Sequence, residues 1–167
     1  MNIAQLYIPD DPEVTAIKMK ILNSAGRHRE AKEIGEQMLK NNVTPSVIAQ
    51  MVEADIGLDD PSEAVALVEN GLTSYPDSIE LLKANRDLKV YTKEWNEVIR
   101  ICYELTRMFP EDRRSQMILV DACVKTGRTE EANAIYKGLE NSVSILNTGD
   151  QASVFSIAKS LLDVDDI

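Results

Sequence analysis

The side chains best suited to chemistry in this chain are Cys102, Cys123 and His28. A cysteine becomes a nucleophile when a base or a positive charge makes it a thiolate. Clustered with histidine at close spacing, it holds zinc. Neither condition is met. Cys102 and Cys123 each fall inside an apolar helical pattern and read as buried free thiols, while His28 stands far upstream between Arg27 and Arg29. The chain has no CxxC, no HExxH, no glycine-rich phosphate loop and no strand-turn-helix to raise a nucleophile. His28 at a helix start offers N–H groups to a phosphate, but a solvent-facing turn is the favoured reading. The residues therefore predict no catalytic site, no metal and no cofactor; this is not the pattern of an enzyme.

Charge narrows the partners. With 28 Asp and Glu against 18 Lys and Arg the formal charge is −10. Nucleic acid is disfavoured, because affinity for it comes from cations that neutralise phosphates. An anionic membrane surface is disfavoured for the same reason. A basic protein segment is electrostatically welcome. No run approaches the roughly 20 apolar residues that span a bilayer. Residues 1–9 lack Lys and Arg and show no signal-peptide pattern. A cytoplasmic, reducing location is expected.

What positions these residues is a repeat. The phrase Gly26-Arg27-His28-Arg29-Glu30-Ala31 returns as Asp60-Pro61-Ser62-Glu63-Ala64, as Thr92-Lys93-Glu94-Trp95-Asn96-Glu97-Val98, and as Thr126-Gly127-Arg128-Thr129-Glu130-Glu131-Ala132. A second marker, Tyr75-Pro76-Asp77, recurs as Phe109-Pro110-Glu111. A period of about 34 residues with helix-turn-helix punctuation marks stacked helical hairpins. Asp11-Pro12 and Thr44-Pro45 read as caps followed by proline at the first helical position, and Asp60-Pro61 as the same device again. Ile17, Ile21, Leu22 and Ala25 give the first helix its inward stripe, and Gly26 ends it. Ala31, Ile34, Met38 and Leu39 line its partner. Met51 reads as core. Asp77 or Ser78 caps the fifth helix after the Pro76 break. Small residues at Ala31, Ala64 and Ala132 let the paired helices approach closely.

The chain accordingly divides into a lead-in over 1–10 and four hairpins over 11–141 (11–43, 44–76, 77–110 and 111–141). The polar stretch from Asn141 to Asp150 reads as a loop. A capping helix follows over 148–163, then a frayed acidic tail over 164–167. The fold class is all-α: about four antiparallel helix pairs plus a C-terminal capping helix.

The period, the turn phrase and the prolines at repeat boundaries resemble the tetratricopeptide repeat family, over about Asp11 to Asn141. The match is best at Trp95 and Pro110, then at Gly127, Ala132 and Tyr136. It departs from the pattern at Asp59, where the family has a turn glycine, and near Val43, where no proline closes the repeat. The resemblance implies a right-handed superhelix whose first helices line a concave groove for a peptide or helix. It offers Lys20, Glu53, Lys83, Asp87, Arg114, Asp121 and Lys125 as groove residues, with Tyr91 as an aromatic anchor. A family subclass clamps C-terminal carboxylates with Lys and Asn; Ala16 stands where its first Lys is expected, so that role is not implied. Two functional classes follow. One is an adaptor or chaperone-like module that binds a protein partner. The alternative is a scaffold that self-associates through its terminal helices.

Overall fold

A computed structural model describes residues 11–39 and 43–146 of the chain. Eight helices occupy them: α1 (Pro12–Ser24), α2 (His28–Met38), α3 (Pro45–Gly57), α4 (Ser62–Ser74), α5 (Ile79–Tyr91), α6 (Trp95–Met108), α7 (Arg113–Lys125) and α8 (Thr129–Leu146). Among the described residues there is no strand. The fold is all-α. The lead-in at 1–10, the capping helix at 148–163 and the tail at 164–167 lie outside the described residues.

Side-chain caps set the starts of α1, α3, α5 and α7. Asp11 Oδ1 accepts the N–H groups of Glu13 and Val14 at 2.8 and 3.2 Å, and Pro12 opens α1. Thr44, Ser78 and Asp112 cap α3, α5 and α7 in the same way. Each cap satisfies donors that the first helical turn leaves unpaired. Within each pair the turn uses a left-handed residue. Gly26 (φ 72) and Gly127 (φ 75) supply it without cost, whereas Asp59 and Lys93 adopt φ 60 with side chains.

Two compact units divide the chain, Met1–Glu97 and Val98–Ile167. In the first, α1, α2 and α3 enclose Ala16, Met19, Leu22, Ala31, Met38, Val47, Met51 and Ala54. A second cluster lies between α3, α4 and α5, around Ile48, Val52, Ala64, Val68, Leu81 and Leu88. Helix α3 thus feeds both. In the second unit α7 packs on α8, and Cys102 and Cys123 are buried free thiols.

Several expectations are corrected here. Ile17 and Ile21 are not inward: they are 60% and 65% exposed, and Ala16, Met19, Leu22 and Asn23 take the buried face. Both sets have helical spacing, so period alone cannot say which one meets a neighbour. Leu39 is also exposed. Asp60-Pro61 is not a second cap-plus-proline start. Pro61 itself holds the cap position, α4 begins at Ser62, and the Asp60 carboxylate, one residue before the cap, accepts from Ser62 Oγ at 2.5 Å and from the Ser62 N–H. Helix α8 runs to Leu146, through the start of the loop expected at Asn141. No Gly or Pro interrupts the chain between Asn141 and Leu146, so the helix propagates.

His28 is corrected as well. It is half-buried, not solvent-facing, with its ring against the last turn of α3. A Cβ built on Gly57 would lie 2.5 Å from three ring atoms. The ring nitrogen Nδ1 pairs with Asn23 Oδ1 at 3.2 Å, and Asn23 Nδ2 donates to the Gln50 carbonyl at 2.9 Å. This chain of polar contacts locks α1, α2 and α3 at one register.

A second lock is ionic. Asp55 of α3 is fully buried, and Lys32 Nζ of α2 lies 2.8 Å from its Oδ1 and 2.9 Å from Glu63 Oε2 of α4. Neither Asp55 oxygen meets an aligned hydrogen-bond donor, so the charge itself provides the compensation. Asp55 and then Glu63 hold the Lys32 ammonium well above its ordinary value. Burial raises the Asp55 carboxyl above the usual carboxylate range despite Lys32.

Three outcomes follow. Gly57→Ala forces the His28 ring aside and costs about 1–3 kcal/mol in urea unfolding; adding His28→Ala restores part of that loss, because the two sites share one contact. Lys32→Met leaves a buried, uncompensated carboxylate and costs about 3–5 kcal/mol. Because the folded state takes up the Asp55 proton at higher pH than the unfolded chain, stability from this group is gained as pH falls through its folded pKa. Asp55→Asn lacks that gain, so the stability of the native chain relative to the variant should rise between pH 7 and 4.

Candidate functional site

The repeat offset places Lys20, Glu53, Asp87 and Asp121 at one and the same position of the first helices. Glu13, Ser46, Glu80 and Arg114 share another, about two turns earlier, and Ala16, Ala49, Lys83 and Met117 a third, about one turn earlier. In the first unit, α1 packs beside α3 and α3 beside α5, so these residues form rows across neighbouring helices. Ser46 Oγ donates to Glu13 Oε2 at 3.5 Å across the α1–α3 step, which confirms the side-by-side register.

Lys20 and Glu53 are exposed and Lys83 is half-buried. Asp87 is a third exposed, and its carboxylate accepts from Nε and Nη2 of Arg86 at 2.9 and 2.8 Å. Arg86 is itself 1% exposed, an uncommon burial for a guanidinium. Its apolar-patterned helix gave no sign that a buried cation would orient Asp87. Tyr91 is half-buried, and its hydroxyl donates to the Asp59 carboxylate in the α3–α4 turn. That bond commits its polar end to the adjoining repeat.

In the second unit Arg114 is exposed in the first turn of α7. Lys125 and Asp121 form an (i, i+4) pair at 2.7 Å near its end. Lys83, Asp87, Arg114 and Lys125 all have further interactions in the fold. The structure thus brings Lys20, Glu53, Lys83 and Asp87 to adjoining first helices of one unit, and Arg114, Asp121 and Lys125 to one helix of the other.

Sequence reasoning missed Tyr103. Its hydroxyl, on α6, donates to the Glu131 carboxylate on α8, and the bonded carboxylate, with burial, pushes its pKa up to about 12. No local motif links residues from different helices, so only the fold reveals the pair. Burial raises the Cys123 thiol above its ordinary value, which keeps it a poor nucleophile. Among the described residues no His, Cys, Asp or Glu group is arranged to hold a metal. No helix among them is long and apolar enough to cross a membrane.

A solved structure of MamA, its D159K mutant, superposes on the chain with a TM-score of 0.63 at 19% sequence identity. The match covers 81% of this chain and 71% of that one. No protein-family model and no curated protein matches the sequence. At such identity the likeness is one of fold: MamA is a tetratricopeptide-like helical protein, and this chain has that all-α helical-repeat fold.

Alkaline titration followed by tyrosine absorbance should show Tyr103 ionising near pH 12. Its bond stabilises the fold below the unfolded tyrosine value of about 10 and is lost as pH rises through the folded one. Glu131→Gln should return this step toward about 10.

Proposed function

We propose that this chain is a divergent tetratricopeptide-type module that binds a protein partner, without catalysing a reaction, on the face of its first helices. The observation that carries this reading is the row of charged side chains on α1, α3 and α5: exposed Lys20 and Glu53, with Asp87 held in place by Arg86. Stacked helical repeats work through extended surfaces of this kind. The chain's fold likeness and the absence of any catalytic motif in its sequence support the same reading.

The partner is a peptide or helix, with basic segments favoured by the −10 charge. Asp121 holds the corresponding position of the last first-helix, and Arg114 and Lys125 are further candidates on the same helix. Residues 148–163 are assigned as a capping helix and the four hairpins as the repeats. Self-association is the second reading. It is favoured by exposed apolar residues on α1.

Panning a random peptide library on the full chain tests the first reading. Selected peptides should be enriched in Lys and Arg, bind more weakly as salt rises, and lose about tenfold in affinity on Glu53→Lys. Peptides that bind Lys20→Glu/Glu53→Lys as well as they bind the native chain would refute this face. Light scattering across a tenfold concentration range tests the second: a constant mass of 18.6 kDa excludes it.

A further inference from the structure

Val14, Ile17 and Ile21 form an apolar stripe along α1, 49%, 60% and 65% exposed. Their spacing is that of successive a, d and a positions in a coiled-coil seam. The other side of α1 places Ala16, Met19 and Leu22 in the core of the first unit, so the stripe is an outer face. Contiguous exposed aliphatic residues of this kind mark an interaction surface. The repeat register shows what packs on such a face. Its counterparts in α3 are Val47, Gln50 and Ala54, and in α5 they are Leu81, Ala84 and Leu88. All but the half-buried Gln50 are buried. There the face takes a helix: α2 packs on α3 and α4 on α5, each through a short connection and so antiparallel. The approach is close, since a Cβ on Gly71 of α4 would lie 3.1 Å from Leu81.

The charges that border the stripe indicate which helix fits it. Glu13 and Lys20 are exposed and stand one heptad apart on one border, beside Val14 and Ile21; Lys18 lies on the other. Consider a second α1 laid antiparallel, Ile17 against Ile17. Val14 then meets Ile21 of the second copy, and each Glu13 stands beside Lys20 of the other, giving two reciprocal ion pairs on one border. The two Lys18 side chains meet across the opposite border. Glu30 of α2 offsets them, its carboxyl held below the usual range by Arg27 and then by Lys18. Parallel pairing also brings Glu13 to Lys18 of the second copy. It leaves both Lys20 side chains unanswered, however, sets the helix dipoles in the same direction, and reverses the helix direction that this face receives in α3 and α5.

Resting on the self-association reading, we propose that two copies of this chain form a twofold dimer in which their α1 stripes pack antiparallel. With three apolar side chains per copy the contact falls below the roughly 1,200 Å² of stable complexes. The dimer is therefore weak, reversible and dependent on concentration. The Glu13–Lys20 pairs at its exposed border choose the orientation more than they add affinity. Lys20 also belongs to the row of charges on the first helices, so a peptide that engages it competes with the second copy.

Light scattering on the full chain from about 10 µM to 1 mM tests the dimer. The mass should climb from 18.6 kDa toward twice that value as concentration rises. Ile17→Asp, at an exposed site, should hold it at 18.6 kDa throughout. Glu13→Lys and Lys20→Glu should each weaken association about tenfold. The double variant Glu13→Lys/Lys20→Glu should restore it, because the exchange rebuilds the same pairs. A native mass constant at 18.6 kDa refutes self-association itself, and this dimer with it. Association that survives Ile17→Asp leaves self-association standing on another surface and overturns the α1 contact. A double exchange that restores nothing overturns the antiparallel pairing. A lower urea midpoint for monomeric Ile17→Asp assigns the stripe to a cover within the chain and likewise overturns the proposal.

Discussion

Helix α3 is packed from both sides, and the first unit depends on that. Val47, Met51 and Ala54 face the cluster shared with α1 and α2, while Ile48 and Val52 face the cluster shared with α4 and α5. A single hairpin of this length leaves an apolar flank uncovered, so its stability comes from the neighbour that covers it. Close approach makes the cover effective. Ala31 and Ala64 are fully buried, and Gly35 gives way to Met51 and Met19, whose atoms lie within 3 Å of where a Cβ would stand. Those two methionines fill the irregular space between α1, α2 and α3 as flexible core.

Apolar stacking alone does not fix one register, because helices slide on each other at low cost when only grease is between them. Two polar links remove that freedom. The Asn23–Gln50 bond with His28 ties the end of α1 to the middle of α3. Lys32, set between Asp55 and Glu63, ties α2 to α3 and α4. A buried carboxylate contributes little net stability against an apolar substitute of equal volume, but it penalises every arrangement that separates it from its cation.

The charged face of the first helices is largely satisfied within the protein. Asp87 is held by Arg86, Asp121 by Lys125 and Tyr91 by Asp59. On the proposed reading a partner gains selectivity from these preset charges more than affinity, since exposed pairs contribute about 0–1 kcal/mol each. Recognition of this type is salt-sensitive and reversible. The buried thiols and the tyrosine–carboxylate pair at Tyr103 belong to the fold of the second unit and add no reactive group to that face.

The sequence by itself determined the fold class, the helix count among the described residues and the starts of α1, α3 and α5. These are encoded locally, in a period near 34 and in caps such as Asp11, Thr44 and Ser78 that act within a turn of themselves. Equal offsets also put Lys20, Glu53 and Asp87 at equivalent positions of the first helices. Only the tertiary structure decided which apolar face of α1 is inward. Ala16–Met19–Leu22 and Val14–Ile17–Ile21 are both close to helical spacing, and the choice between them rests on where α2 and α3 lie. The burial of Arg86 and Asp55, the packing of His28 on Gly57 and the bonds of Tyr91 and Tyr103 were likewise invisible. Each joins residues distant in sequence, and such pairings come into being only when the hairpins stack.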